Sequence, residues 1–230
     1  MKAQDSSNLL ETRATTIVWD LPLRIFHWVL VLLVISQIVT VSVGGNAMEY
    51  HALGGYAIFT LVLFRIMWGF AGGTHARFVD FLRGPATVAH YVYMLVKGTA
   101  PTHRGHNPLG AWSVVLMLAS LLLQAMTGLF ANDDVMMEGP LAKHVSGDAS
   151  AVFTAIHDIN AGILLTLVSL HILAVLFYLF RRKQDLIGPM FTGRKPIELA
   201  DARPPRTGNS WLAALLLGIS SLVVYFVVTF

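Results

Sequence analysis

An all-helical integral membrane protein is the fold class this sequence predicts, and three observations predict it. Of the 230 residues, 55% are hydrophobic and only 13% are charged, where a soluble domain carries about a quarter charged. The apolar residues gather into five stretches, approximately 23–43, 50–71, 110–131, 151–180 and 211–230. Each approaches or exceeds the roughly 20 residues that cross about 30 Å of hydrocarbon. Backbone polar groups inside lipid must be satisfied within the segment, so such runs are helices.

The first stretch has the position of a secretory leader but not its form. It is too long for an apolar leader core, carries His27 and Trp28, and has no clear small-residue cleavage site before the second run. It is therefore a retained helix. The second stretch opens with His51 and holds a fixed charge, Arg65. Pro85 then starts an amphipathic segment, Ala86 to Val96, whose Tyr91, Tyr93 and neighbouring Lys97 suit a short helix lying at the membrane interface. The acidic segment from Ala131 to Ser150 is either a solvated connection or a docking surface for a partner. The fourth stretch carries His157 and His171. Arg194 to Gly208, rich in proline and basic residues, reads as a flexible linker to the fifth. No internal repeat or low-complexity segment stands out. The chain divides into a transmembrane domain over 1–195, a basic linker over 196–209 and an additional helix over 210–230.

Charge placement orients the chain. Lys2, Arg13 and Arg24 precede or open the first helix. Arg77, Arg83, Lys97 and Arg104 separate the second from the third. Arg181, Arg182, Lys183, Arg194, Lys195, Arg203 and Arg206 separate the fourth from the fifth. Ser42 to Glu49 has no Lys or Arg, and the loop after the third helix has only Lys143 against Asp133, Asp134, Glu138 and Asp148. Basic loops stay on the cytoplasmic side, which puts the N-terminus inside and the C-terminus outside. The net charge of +3 is explained by those loops and calls for no nucleic-acid partner.

With no cysteine in the chain, disulfides, thiolate-held iron–sulfur clusters and covalent haem attachment are excluded. Any metal is held by other groups, and histidine is the candidate. An ionisable side chain within the bilayer is a functional-site hypothesis by default. His27, His51, His157 and His171 all fall within or at the edge of the apolar runs. Given the orientation, His51 and His157 share an outer layer, and His27 and His171 an inner one. The fourteen residues from His157 to His171 correspond to about 21 Å and nearly four turns, so both point to one face. Neutral imidazoles paired across a bundle suit a low-spin haem iron with two axial ligands, and each ligand's other nitrogen needs an acceptor. Two such pairs predict two b-type haems.

Arg65 lies fourteen residues beyond His51, on nearly the same face at the inner layer. It either contacts an inner haem propionate or snorkels to the headgroups. Gly54, Gly55 and Gly162 beside the ligands either admit a flat macrocycle or permit close helix packing, the commoner use. Met126, Met136 and Met137 read as ordinary lipid-facing or loop residues rather than ligands. His75, His90, His103 and His106 read as surface histidines of the basic loop, and His144 has no neighbouring ligand set.

These residues resemble the bacterial cytochrome b561 family, including the cytochrome b subunits of membrane-bound nickel–iron hydrogenases. The matching segments are Trp19-Asp20-Leu21-Pro22 leading into Arg24-Ile25-Phe26-His27-Trp28, His51-Ala52-Leu53-Gly54, Arg65-Ile66-Met67-Trp68-Gly69-Phe70, Gly105-His106-Asn107-Pro108-Leu109-Gly110, and the His157–His171 pair. The resemblance covers about residues 17 to 195. It implies a four-helix transmembrane dihaem bundle in the bacterial inner membrane, with His27, His51, His157 and His171 as axial ligands. It leaves the C-terminal transmembrane helix outside that core. It further implies electron transfer between quinone and a redox partner, such as a c-type cytochrome, hydrogenase or dehydrogenase subunit, with no catalytic residue of the chain's own. A standalone superoxide:quinone oxidoreductase of the same fold is the alternative. A histidine-lined transporter would show helices broken by paired Gly or Pro at midplane, and a di-iron oxidase would show Glu-x-x-His motifs. Neither pattern is present.

Overall fold

The computed structural model describes residues 13–133, 137–198 and 205–230; Lys2, Asp134, Met136 and Arg203 lie outside the described residues. Five helices are long and apolar enough to cross a membrane: α1 (Leu21–Val43), α2 (Ala47–Ala71), α5 (Pro108–Gly128), α6 (Gly147–Phe180) and α8 (Ser210–Thr229). Between them lie the short helices α3 (Phe78–Phe81), α4 (Pro85–Val96) and α7 (Ile187–Thr192). The protein is a polytopic helical membrane protein, as its apolar runs predict.

Capping explains where the helices begin. Asp20 Oδ1 accepts from Leu23 N at 3.0 Å, Asn107 Oδ1 from Gly110 N at 2.8 Å, and Ser146 Oγ from Ala149 N at 3.3 Å. Each satisfies an amide that has no partner within its own helix. Pro22 and Pro108 follow their caps in the first turn, where a missing amide costs nothing. Pro85 opens α4 in the same way, and the amphipathic segment is helical as expected.

Helix α2 is the hub. It packs against α1, α5 and α8, while α6 packs along α5. No comparable helix-to-helix contact joins α6 to α1 or α2 among the described residues. Side chains bridge the wider spacing: Leu164 and Val168 of α6 join Ile58 and Val62 of α2 and Leu30 and Leu33 of α1 in one apolar cluster. Phe26, Phe64 and Trp68 form one apolar cluster at the end where α1 starts, and Phe59, Leu129 and Val224 form another toward the opposite end. The second cluster includes a residue of α8, so the C-terminal helix is fastened along the hub rather than standing apart.

Two short strands were not anticipated. β1 (Arg13–Ile17) pairs antiparallel with β2 (Arg194–Glu198), from Arg13 opposite Glu198 to Ile17 opposite Arg194. The first residues of the segment expected to be a flexible linker are thus ordered in a ladder. Further on, Thr74 and Arg206 exchange hydrogen bonds, Thr74 N to Arg206 O and Arg206 N to Thr74 Oγ1, both at 3.0 Å. The entry to α8 is tied to the loop that follows α2.

Candidate haem-binding site

The outer histidines meet. The ring centres of His51 on α2 and His157 on α6 are 6.3 Å apart with planes 75° to each other. Two metal–nitrogen bonds of about 2 Å each, plus the distance from each ring centre to its nitrogen, sum to about this separation. Residues on adjacent helices occupy the Nδ1 atoms. His157 Nδ1 lies 3.0 Å from the Gln124 carbonyl and 3.4 Å from Thr127 Oγ1, and His51 Nδ1 lies 3.4 Å from Thr40 Oγ1. A carbonyl or hydroxyl partner on the second nitrogen is the arrangement a metal-binding imidazole requires. The residues fit a haem with two axial histidines.

Toward the start of α1, His27 on α1 and His171 on α6 are electrostatic neighbours. The Nδ1 of His27 is buried with no hydrogen-bond partner, and its ring meets Trp28 edge-on at 5.0 Å. All four imidazoles are half-buried.

Arg65 does not snorkel, for only 2% of its surface is exposed. Its guanidinium sits 5.2 Å from the centre of the Phe78 ring, and both terminal nitrogens are buried without a partner. Asp20 is the acid near enough to act on it, yet the Asp20 oxygens already accept from Leu23 N, Trp68 Nε1 at 3.3 Å and Gly73 N at 3.2 Å. Among the described residues nothing hydrogen-bonds those two nitrogens, and a buried cation is costly without a partner.

The basic-loop histidines correct the surface expectation in three cases out of four. His90 is exposed, whereas His75, His103 and His106 are half-buried. His106 is held between Trp19 and Phe81, with ring centres 4.7 Å and 4.6 Å away, and its Nδ1 is buried and unpartnered. Burial first, then Arg65, His75 and His171, push its pKa down from the usual 6.5 to about 3. His75 also titrates below the ordinary range, through burial and then Arg104. His103 does so through burial and then Lys195 and Arg83. Nothing local in the sequence marked His106, although it sits in the Gly105–Gly110 segment that carries part of the family resemblance.

The glycines divide. A Cβ on Gly54 would run into the Gln37 amide, so this glycine serves close packing of α2 on α1, while Gly55 and Gly162 face open space. Gly128, which the sequence did not single out, lies directly against the His157 ring.

The model of the prokaryotic cytochrome b561 family matches residues 18–193 of the chain. The chain belongs to that family. The match takes in α1, α2, α5 and α6 with His27, His51, His157 and His171, and stops short of α8. Among curated relatives, the chain is 24% identical over 216 residues to a "Probable Ni/Fe-hydrogenase B-type cytochrome subunit" of Rhizobium leguminosarum bv. viciae, covering 80% of this chain and 90% of the relative. Proteins of the same description from Azotobacter chroococcum mcd 1 and Azotobacter vinelandii are each 23% identical, covering 70% and 89% of this chain and 77% and 97% of theirs. No solved structure matches at a significant level. Membership makes this cytochrome b561 protein a b-type haem protein of the membrane.

Proposed function

We propose that the chain is a dihaem cytochrome b that carries electrons between a membrane quinone and a redox partner protein. His51 and His157 hold the outer haem, and His27 and His171 the inner one. The observation that carries this is the outer pair: two imidazoles 6.3 Å apart with their Nδ1 atoms directed to backbone or hydroxyl oxygens. The haems supply one-electron chemistry at iron. The protein supplies ligation, spacing and a water-poor setting, which tune the potential.

Arg65 fits the propionate of the inner haem, because that carboxylate is the anion its buried guanidinium lacks. The relatives' description favours a nickel–iron hydrogenase as the partner, with a c-type cytochrome or another dehydrogenase subunit as further candidates. The fold sits in the bacterial inner membrane with the N-terminus cytoplasmic and the C-terminus periplasmic. The four family-matched helices form the haem-holding unit, and α8 is an addition braced on α2. Standalone superoxide:quinone oxidoreduction is the second reading, and activity of the isolated chain with superoxide and quinone would select it.

Purification in mild detergent tests the proposal. The reduced-minus-oxidised spectrum and the haem-to-protein ratio should give two b-type haems. His51→Ala and His157→Ala should abolish the same spectral component, and His27→Ala and His171→Ala the other. Loss patterns that cross these pairs would sink the assignment.

A further inference from the structure

The two outer imidazoles are held by one short pattern used twice. On α1 it is Gln37-Ile38-Val39-Thr40, and on α5 it is Gln124-Ala125-Met126-Thr127. In each copy the threonine hydroxyl donates back along its own helix, Thr40 Oγ1 to the Ser36 carbonyl at 2.8 Å and Thr127 Oγ1 to the Leu123 carbonyl at 2.7 Å. A hydroxyl has a single proton to give. With that proton committed to the helix, the oxygen turns a lone pair toward the histidine Nδ1, a long contact of 3.4 Å in both copies. On the α5 side the glutamine backbone supplies a second contact, the Gln124 carbonyl lying 3.0 Å from His157 Nδ1. A carbonyl has no proton and each threonine has already given its own, so these partners accept, each Nδ1 carries the ring proton and each Nε2 keeps its lone pair.

We propose that these paired Gln-x-x-Thr motifs are the positioning device of the outer site, fixing both histidines as Nδ1–H tautomers with their Nε2 atoms free for iron. The proposal rests on the reading of His51 and His157 as ligands of one haem. The device has a stiff half and a soft half. Three residues after His157, Asn160 Nδ2 donates to Gln124 Oε1 at 2.6 Å and to the Ser120 carbonyl at 2.9 Å, and Ser120 Oγ donates to Asn160 Oδ1 at 3.0 Å. Three residues after His51 stands Gly54, which offers no side chain, and the Gln37 amide nitrogen is buried without a partner. The α5 copy is braced from α6, and the α1 copy is not braced from α2.

Thr40→Val and Thr127→Val keep the branched shape and remove the hydroxyl, while Thr40→Ser and Thr127→Ser keep the hydroxyl. The haem lost in His51→Ala identifies the outer signal. An axial imidazole that loses an acceptor on Nδ1 donates less to iron. The outer midpoint potential should therefore rise, and the low-spin electron paramagnetic resonance signal of that haem should shift. The inner haem should stay unmoved and the serine variants should resemble the unaltered protein. The shift should be larger in Thr40→Val, because His157 retains the braced Gln124 carbonyl. Valine variants that leave the outer potential and resonance unchanged, that shift both haems alike, or whose losses persist in the serine variants would overturn the proposal. An unaltered chain that binds one haem or none defeats the ligand reading itself, whereas two haems with unmoved variants defeat the positioning device alone.

Discussion

At Gly128 the backbone of α5 passes so close to His157 that an added Cβ would meet the imidazole Cε1 at 3.0 Å and Nδ1 at 3.2 Å. The ring is already held by the Gln124 carbonyl, so moving it aside strains that hydrogen bond. Gly128→Ala is expected to introduce overpacking of about 1–3 kcal/mol and to lower outer-haem content while sparing the inner haem, read as haem stoichiometry. His106 makes a different kind of prediction. Its pKa is depressed to about 3 in the folded protein, chiefly by burial, against about 6.5 when unfolded. Between those values the unfolded chain binds a proton that the folded chain refuses, so stability falls as pH drops below about 6.5. His75 and His103, shifted the same way, add to the slope. Thermal unfolding followed from pH 8 to pH 5 should show the midpoint falling, and His106→Asn should flatten part of the fall. The sequence pointed to the four intramembrane histidines because an apolar run makes any ionisable group conspicuous. It could not point to His106, whose neighbours Trp19 and Phe81 come from distant segments and whose own segment is not apolar.

Among the elements, Asp20 shows how much of the structure a short pattern encodes and where it falls silent. Asp20 caps α1, with Pro22 in the first turn. The same carboxylate also receives Trp68 Nε1 and Gly73 N, joining the start of α1 to the end of α2, and that tertiary role leaves no local trace. Asp20→Ala should therefore cost more than a lost cap. A cap alone is worth about 1 kcal/mol, and each buried donor left unpaired adds about 1–3 kcal/mol. The expected result is a drop in detergent thermal stability well beyond that of Asn209→Ala, whose side chain caps only α8. An equal drop for both would reduce Asp20 to a cap. The membrane helices were legible because length and apolarity fix them. The strands β1 and β2 were not, for they are five residues each, lie far apart in sequence and owe their order to pairing between the segment before α1 and the segment after α7. The packing of α8 on α2 was also hidden, since a helix that is apolar all round does not reveal which face meets protein and which meets lipid.

For the whole molecule, the ends of the spans must agree with the charges. The start of α1, the end of α6 and the entry to α8 gather around β1, β2 and the Thr74–Arg206 contact, and this end carries the basic loops. The loop between α1 and α2 and the acidic segment before α6 lie at the other. The positive-inside rule predicts that the first end is cytoplasmic, and a sequence without cysteine allows a clean experiment. Gly84 precedes α4 at the basic end, Gly147 opens α6 at the acidic end, and nothing lies within 4 Å of a Cβ built on either. Gly84→Cys and Gly147→Cys should consequently fold as the unaltered protein does. In intact cells stripped of their outer envelope, a membrane-impermeant maleimide should label Gly147→Cys at once and Gly84→Cys only after the membrane is opened. The reverse pattern would invert the molecule. It would carry the proposed haem site of His51 and His157 to the cytoplasmic side, so the same labelling decides which of the two proposed sites lies toward each side of the membrane.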